Sequence, residues 1–160
     1  METLELSIIN KKLLSNDLHG RLLHGVMIQR PDLFCPSRMV VEKLVSVDRG
    51  RVNDDGVPIE YVKAYLRPLS SMTEDERKEL SDLINKKING NDDCAPFDDG
   101  FPFSLYDTTG IRCHVGGERF YFDEMFIVYE WLNAHHFDYR GLIEKGLAIK
   151  VTEDNNPYKN

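Results

Sequence analysis

The chain has 160 residues, 41% hydrophobic and 29% charged, a balance that fits one globular domain and excludes collagen-like, disordered and small disulfide-stapled classes. Twenty Lys and Arg against 27 Asp and Glu leave a net charge of -7, which repels a phosphate backbone at long range, so nucleic acid is not an expected partner. Cys35, Cys94 and Cys113 are widely spaced with no C-x-x-C pair, which suits a reducing cytoplasm. Residues Met1 to Ser15 lack a basic stretch followed by an apolar core, and no apolar run is long enough to span a bilayer, so neither a signal peptide nor a membrane association is expected.

In chain order, a short opening segment leads into strands. Val26-Met27-Ile28 and Met39 to Val47 are rich in β-branched residues and separated by Pro31 and Pro36, punctuation that a helix would not carry. Turns follow at Asp48-Arg49-Gly50 and Asp54-Asp55-Gly56, and Pro58 places the strand after them at a sheet edge. The clearest helix opens at Thr73, where Thr73-Glu74-Asp75-Glu76 reads as a capping box, Leu80, Leu83, Ile84 and Ile88 share a face, and Asn89-Gly90 ends it.

Next come an acidic loop, Asn91 to Pro102, and a hairpin from Ile111 to Val115 through Gly116-Gly117 to Glu118–Phe122. That turn sets Cys113 opposite Phe120 and Ile111 opposite Phe122. Asp123 is then expected to cap a central helix running to His136, with His136 continuing the Leu132 stripe. Asp138 caps a short turn closed by Gly146, Ala148 to Val151 returns as a strand, and the polar tail 152–160 frays. The expected fold is a single α+β domain over 1–151, a mainly antiparallel sheet with two principal helices packed on it.

Two motifs carry a resemblance. Leu66-Arg67-Pro68-Leu69-Ser70, followed by His136-Phe137-Asp138 and the run from Gly141 to Ile149 (GLIEKGLAI), resembles small proteins encoded by phages and prophages of Gram-negative gut anaerobes, a group with no assigned function. The likeness implies a mobile-element product working in the cytoplasm of a bacterial host, and implies no activity or cofactor. Physically, both motifs read as architecture: Pro68 keeps Arg67 extended, and the glycines allow close approach and a left-handed cap.

The residues that invite a chemical reading are His135, His136 and Asp138. Adjacent histidines on a helix point about 100° apart, so they do not ligate one ion together, and the spacing of a zinc site is absent. No metal site is expected, and the three residues stand only as candidates for a general base or acid. The acids of the Asn91–Gly100 stretch come in adjacent pairs, unlike a calcium loop. No Gly-rich phosphate cradle or nucleophile signature is present, so no cofactor is expected. Phe97, Asp98, Asp99 and Phe101 form an aromatic and acidic patch suited to a protein partner, since aromatics supply anchors and carboxylates steer a basic surface. The reading is therefore a non-enzymatic interaction protein with a protein partner or self-association. The alternative is a histidine-based or metal-dependent enzyme built on His135, His136 and Asp138.

Overall fold

A computed structural model describes the backbone of residues 2–89, 103–106, 110–113 and 122–159, and the side chains of 7–83 and 126–159. The fold is α+β in a single domain. It opens with a long helix where only a short opening segment before the strands was expected: α1 covers Glu2–Arg21 and continues into a single 3-10 turn, Leu22–His24. Gly25, at φ 69°, closes that turn in the left-handed region that a Cβ disfavours. Strands β1 (Met27–Pro31) and β2 (Met39–Lys43) follow as an antiparallel hairpin, with Gln29 opposite Val41.

Three short strands, β3 (Val47–Asp48), β4 (Arg51–Val52) and β5 (Val57–Pro58), form a second antiparallel sheet through the two expected turns. Pro58 sits in β5 at the edge of that sheet, where a missing amide is tolerated.

The centre of the main sheet is β6 (Lys63–Pro68), which pairs antiparallel with β1. Helix α2 (Glu74–Asn89) carries the expected capping box, with Thr73 N donating to Glu76 Oε2 at 2.9 Å and Glu76 N donating to Thr73 Oγ1 at 3.2 Å. After it, β7 (Phe103–Tyr106) and β8 (Gly110–Cys113) make a separate two-stranded ribbon. In it Ile111 faces Leu105 and Cys113 faces Phe103, and Phe122, expected opposite Ile111, instead opens α3 (Phe122–Ala134). The Gly116-Gly117 turn, Phe120 and the face assigned to Cys113 lie outside the described residues.

The last elements complete the main sheet. β9 (Phe137–Asp138) and β10 (Ala148–Lys150) both pair in parallel with β6, so this sheet is mixed, in the order β10-β6-β1-β2 with β9 also on β6. Arg67 stands opposite Phe137 and Pro68 opposite Asp138. The two motifs that carry the phage resemblance are thus neighbours in space.

Two apolar clusters fill the interior. One gathers Leu14 and Leu18 of α1 with Ile28, Ala64 and Leu66 of the sheet, and the other gathers Leu69, Leu80, Leu132 and Phe137 between β6, α2 and α3. Helices α1 and α3 meet closely at Gly20, where a Cβ would stand 3.3 Å from the Asn133 amide nitrogen. No helix among the described residues is long and apolar enough to cross a membrane.

Candidate functional site

The candidate residues His135, His136 and Asp138 fall where α3 hands over to β9. Helix α3 stops at Ala134, two residues before its expected end, because His136 turns into the left-handed region at φ 59°. His136 therefore does not extend the Leu132 stripe. Its amide donates to Asn133 O and its carbonyl accepts the Arg67 amide at 2.8 Å, which seats the turn on β6.

From that turn the three side chains diverge. His135 lies flat on Trp131, ring centroids 3.9 Å apart, and its Nδ1–H donates at 2.9 Å to the Trp131 carbonyl, which also accepts the His135 amide at 3.0 Å. His136 stacks on Tyr158, centroids 4.1 Å apart and planes 11° from parallel. Asp138 is buried, and its two carboxylate oxygens accept the amides of Leu142 and Ile143 at 2.9 and 2.8 Å. This is the expected cap of the turn that ends at Gly146, itself at φ 68°.

A buried ion pair lies beneath these residues. Asp17 and Arg21, one turn apart on α1, have no solvent exposure. Arg21 Nε donates to Asp17 Oδ2 at 2.7 Å and Arg21 Nη2 donates to the Phe137 carbonyl at 2.7 Å. Arg140 approaches the same carboxylate at 3.4 Å and lies over the Tyr139 ring, whose hydroxyl donates to Asn133 Oδ1. The guanidinium of Arg67 covers the Phe137 ring at 4.3 Å while it grips Glu76 through two hydrogen bonds of 2.6 and 2.9 Å.

The electrostatics follow from this packing. Burial, with the Arg21 charge next and smaller electrostatic contributions from His135, His24 and Arg67, pushes the His136 imidazole down to about 4, so it is neutral at physiological pH. The Arg67 guanidinium, helped by Thr73 and opposed by burial, holds the Glu76 carboxyl down to about 2. Burial pushes the Tyr158 hydroxyl up to about 12, and that hydroxyl accepts the Met27 amide and donates to Tyr65 O at 2.8 Å. The tail, expected to fray, is held to the sheet by this side chain and by Asn155, whose Nδ2 donates to the Lys150 carbonyl of β10 at 2.9 Å.

His135, His136 and Asp138 are close in the chain, but each is fixed by a different partner, and none aims at a common point. Among the described residues, no group of three or more His, Cys, Asp or Glu is placed to hold a metal ion. A largely apolar cavity of about 350 Å³ lies elsewhere, between α1 and the start of β6, lined by Leu14, Val62 and Leu147 and rimmed by the Lys11–Glu60 ion pair at 3.0 Å. The aromatic and acidic candidates Phe97, Asp98, Asp99 and Phe101 lie outside the described residues.

Sequence reasoning missed a different surface, the β1–β2 hairpin. Asp32 Oδ1 accepts the amides of Phe34 and Cys35 at 2.8 and 3.3 Å, an Asx turn that orders the connection while leaving Phe34 98% exposed. Met39 and Val41, on one face of β2, are 47% and 44% exposed, and Leu33 and Val45 are exposed beside them. The alternation of exposed and half-buried residues along β2 was the available signal, since its outward positions carry Met and Val where a solvated strand places polar residues. No family model, no curated protein and no solved structure matches this chain.

Proposed function

We propose that the protein is a non-enzymatic accessory protein of a phage or prophage, acting in the host cytoplasm through protein contact. The observation that carries the contact reading is the placement of apolar side chains in the β1–β2 hairpin. Five of the twelve large apolar side chains exposed among the described residues fall between Leu33 and Val45. Exposed apolar side chains are ordinary when scattered, but a concentration on one ordered element marks an interaction site. The mobile-element origin rests on the two motifs, which are adjacent at β6 and β9 and serve packing there.

The enzyme alternative draws no support from the geometry. A general base needs a free nitrogen or carboxylate facing a cleft. Asp138 gives both oxygens to backbone amides, His135 gives Nδ1 to the Trp131 carbonyl, and His136 Nδ1, which has no hydrogen-bond partner among the described residues, is buried beside the Tyr158 ring and faces no cleft.

The test is affinity purification of the tagged chain from its native host, with light scattering to count subunits in the eluate. The reading predicts either a stoichiometric partner or a self-associated species, in both cases weakened by Phe34→Asp. A strictly monomeric protein that retains no partner overturns it.

A further inference from the structure

We infer that β2 is a self-association edge, on which a second copy of this chain pairs antiparallel with the register centred on Val40. This rests on the contact reading and specifies its surface and its occupant. β2 is the last strand of the main sheet, and no strand among the described residues pairs with its outer side. The strand contains neither proline nor glycine, and its exposed face carries Met39 and Val41 before the single charge at Lys43, so the 39–41 stretch lacks the usual devices that blunt an edge.

The hydrogen-bond pattern says which groups are offered. Leu44 N donates to Val26 O and Asp32 N donates to Arg38 O, so the even-numbered residues of this stretch bond to β1. By the alternation of an antiparallel ladder, Met39, Val41 and Lys43 then turn their amides and carbonyls outward. The Lys43 carbonyl is already taken by Asn53 Nδ2 at 3.0 Å. A register centred on Val41 would need that carbonyl, whereas one centred on Val40 pairs only Met39 with the partner's Val41 and the reverse. It forms roughly four backbone hydrogen bonds, two from each pair.

Side chains agree with the same register. On the exposed face, Met39 meets the partner's Val41, apolar against apolar. On the other face, Val40 meets the partner's Val40, and Arg38 meets the partner's Glu42. Glu42 sits in a group with an excess of negative charge: it and Asp55 share the Arg30 guanidinium, with Glu42 Oε1 2.8 Å from Arg30 Nε, and Asp32 is close by. The exposed Arg38, which lies near Asp32 in its own chain, is the cation that the partner's Glu42 meets in this register. The segment Arg38-Met39-Val40-Val41-Glu42 is thus complementary to itself when read in the opposite direction.

The test measures mass by light scattering over a concentration series for the wild type, Val41→Lys and Arg38→Glu, with circular dichroism to verify the fold. The expected result is a concentration-dependent dimer whose dissociation constant rises about tenfold or more in each variant. In the second measurement, Val40→Cys should form an intermolecular disulfide under mild oxidation, while Val41→Cys, which faces the partner's Met39, should not. A monomer at all concentrations overturns the inference, as does a dimer that both charge variants leave intact, or equal crosslinking at 40 and 41. A monomer that still retains a different protein on purification overturns the second copy as occupant and leaves the contact reading standing.

Discussion

The α3–β9 junction and the β1–β2 hairpin are opposites. The junction collects the residue types that do chemistry, His135, His136, Asp138, Asp17 and Arg21, and holds them buried or stacked in structural contacts. The hairpin collects residue types that build cores, Phe34, Met39 and Val41, and presents them to solvent on an ordered frame. A polar group that leaves water must find a partner inside, and an apolar group left in water gains by finding one outside. Residue type and burial therefore point to different places in this molecule.

The largest way to break the contrast is to remove one member of the buried pair. Arg21→Met strands the Asp17 carboxylate beside Arg140 alone and is expected to cost about 3–5 kcal/mol in urea unfolding. Replacing both, as Asp17→Leu with Arg21→Met, should recover much of that loss, because no uncompensated charge remains. Asp138→Ala leaves two amides without acceptors at the turn and should cost about 1–3 kcal/mol by the same measurement. Thr73→Ala removes half of the capping box on α2 and should cost about 1 kcal/mol.

Acid sharpens the contrast from another side. His136 is held neutral down to about pH 4, against about 6.5 when unfolded, so the unfolded chain binds more protons between those values. Its contribution is complete above pH 6.5 and is lost as pH falls from 6.5 through 4. Glu76 acts in the same direction lower down, with its contribution present above about 4.5 and lost as pH falls through about 2. His136→Asn, which tolerates the left-handed backbone, should flatten the stability profile between pH 6.5 and 4 and leave the lower limb unchanged. The smallest expected effect on folding belongs to the hairpin: Val41→Lys should change stability by no more than about 0.5 kcal/mol, read in the same urea transition.

Local signals were legible in the sequence. The Thr73 box, the hairpin turns at 48–50 and 54–56 and the Asp138–Gly146 turn each depend on side chains a few residues apart, and each is present as read. Helix α1 was hidden because Leu4, Leu6, Ile8, Ile9, Leu13, Leu14 and Leu18 spread around it without one stripe, and because its burial is completed by a charged pair, Asp17 and Arg21. The pairing of 110–113 with 103–106 was not legible, because the periodicity of a strand does not name its neighbour. The role of Tyr158 was equally illegible, since its contacts at Met27, Tyr65 and His136 lie far away in the chain.

The most direct test of the account is a subunit count by light scattering on the wild type, His136→Asn and Val41→Lys side by side. The account predicts that association survives His136→Asn and is lost in Val41→Lys while both variants stay folded. Association that ignores Val41→Lys and disappears with His136→Asn would contradict it, and would return the α3–β9 junction to the centre of the protein's function.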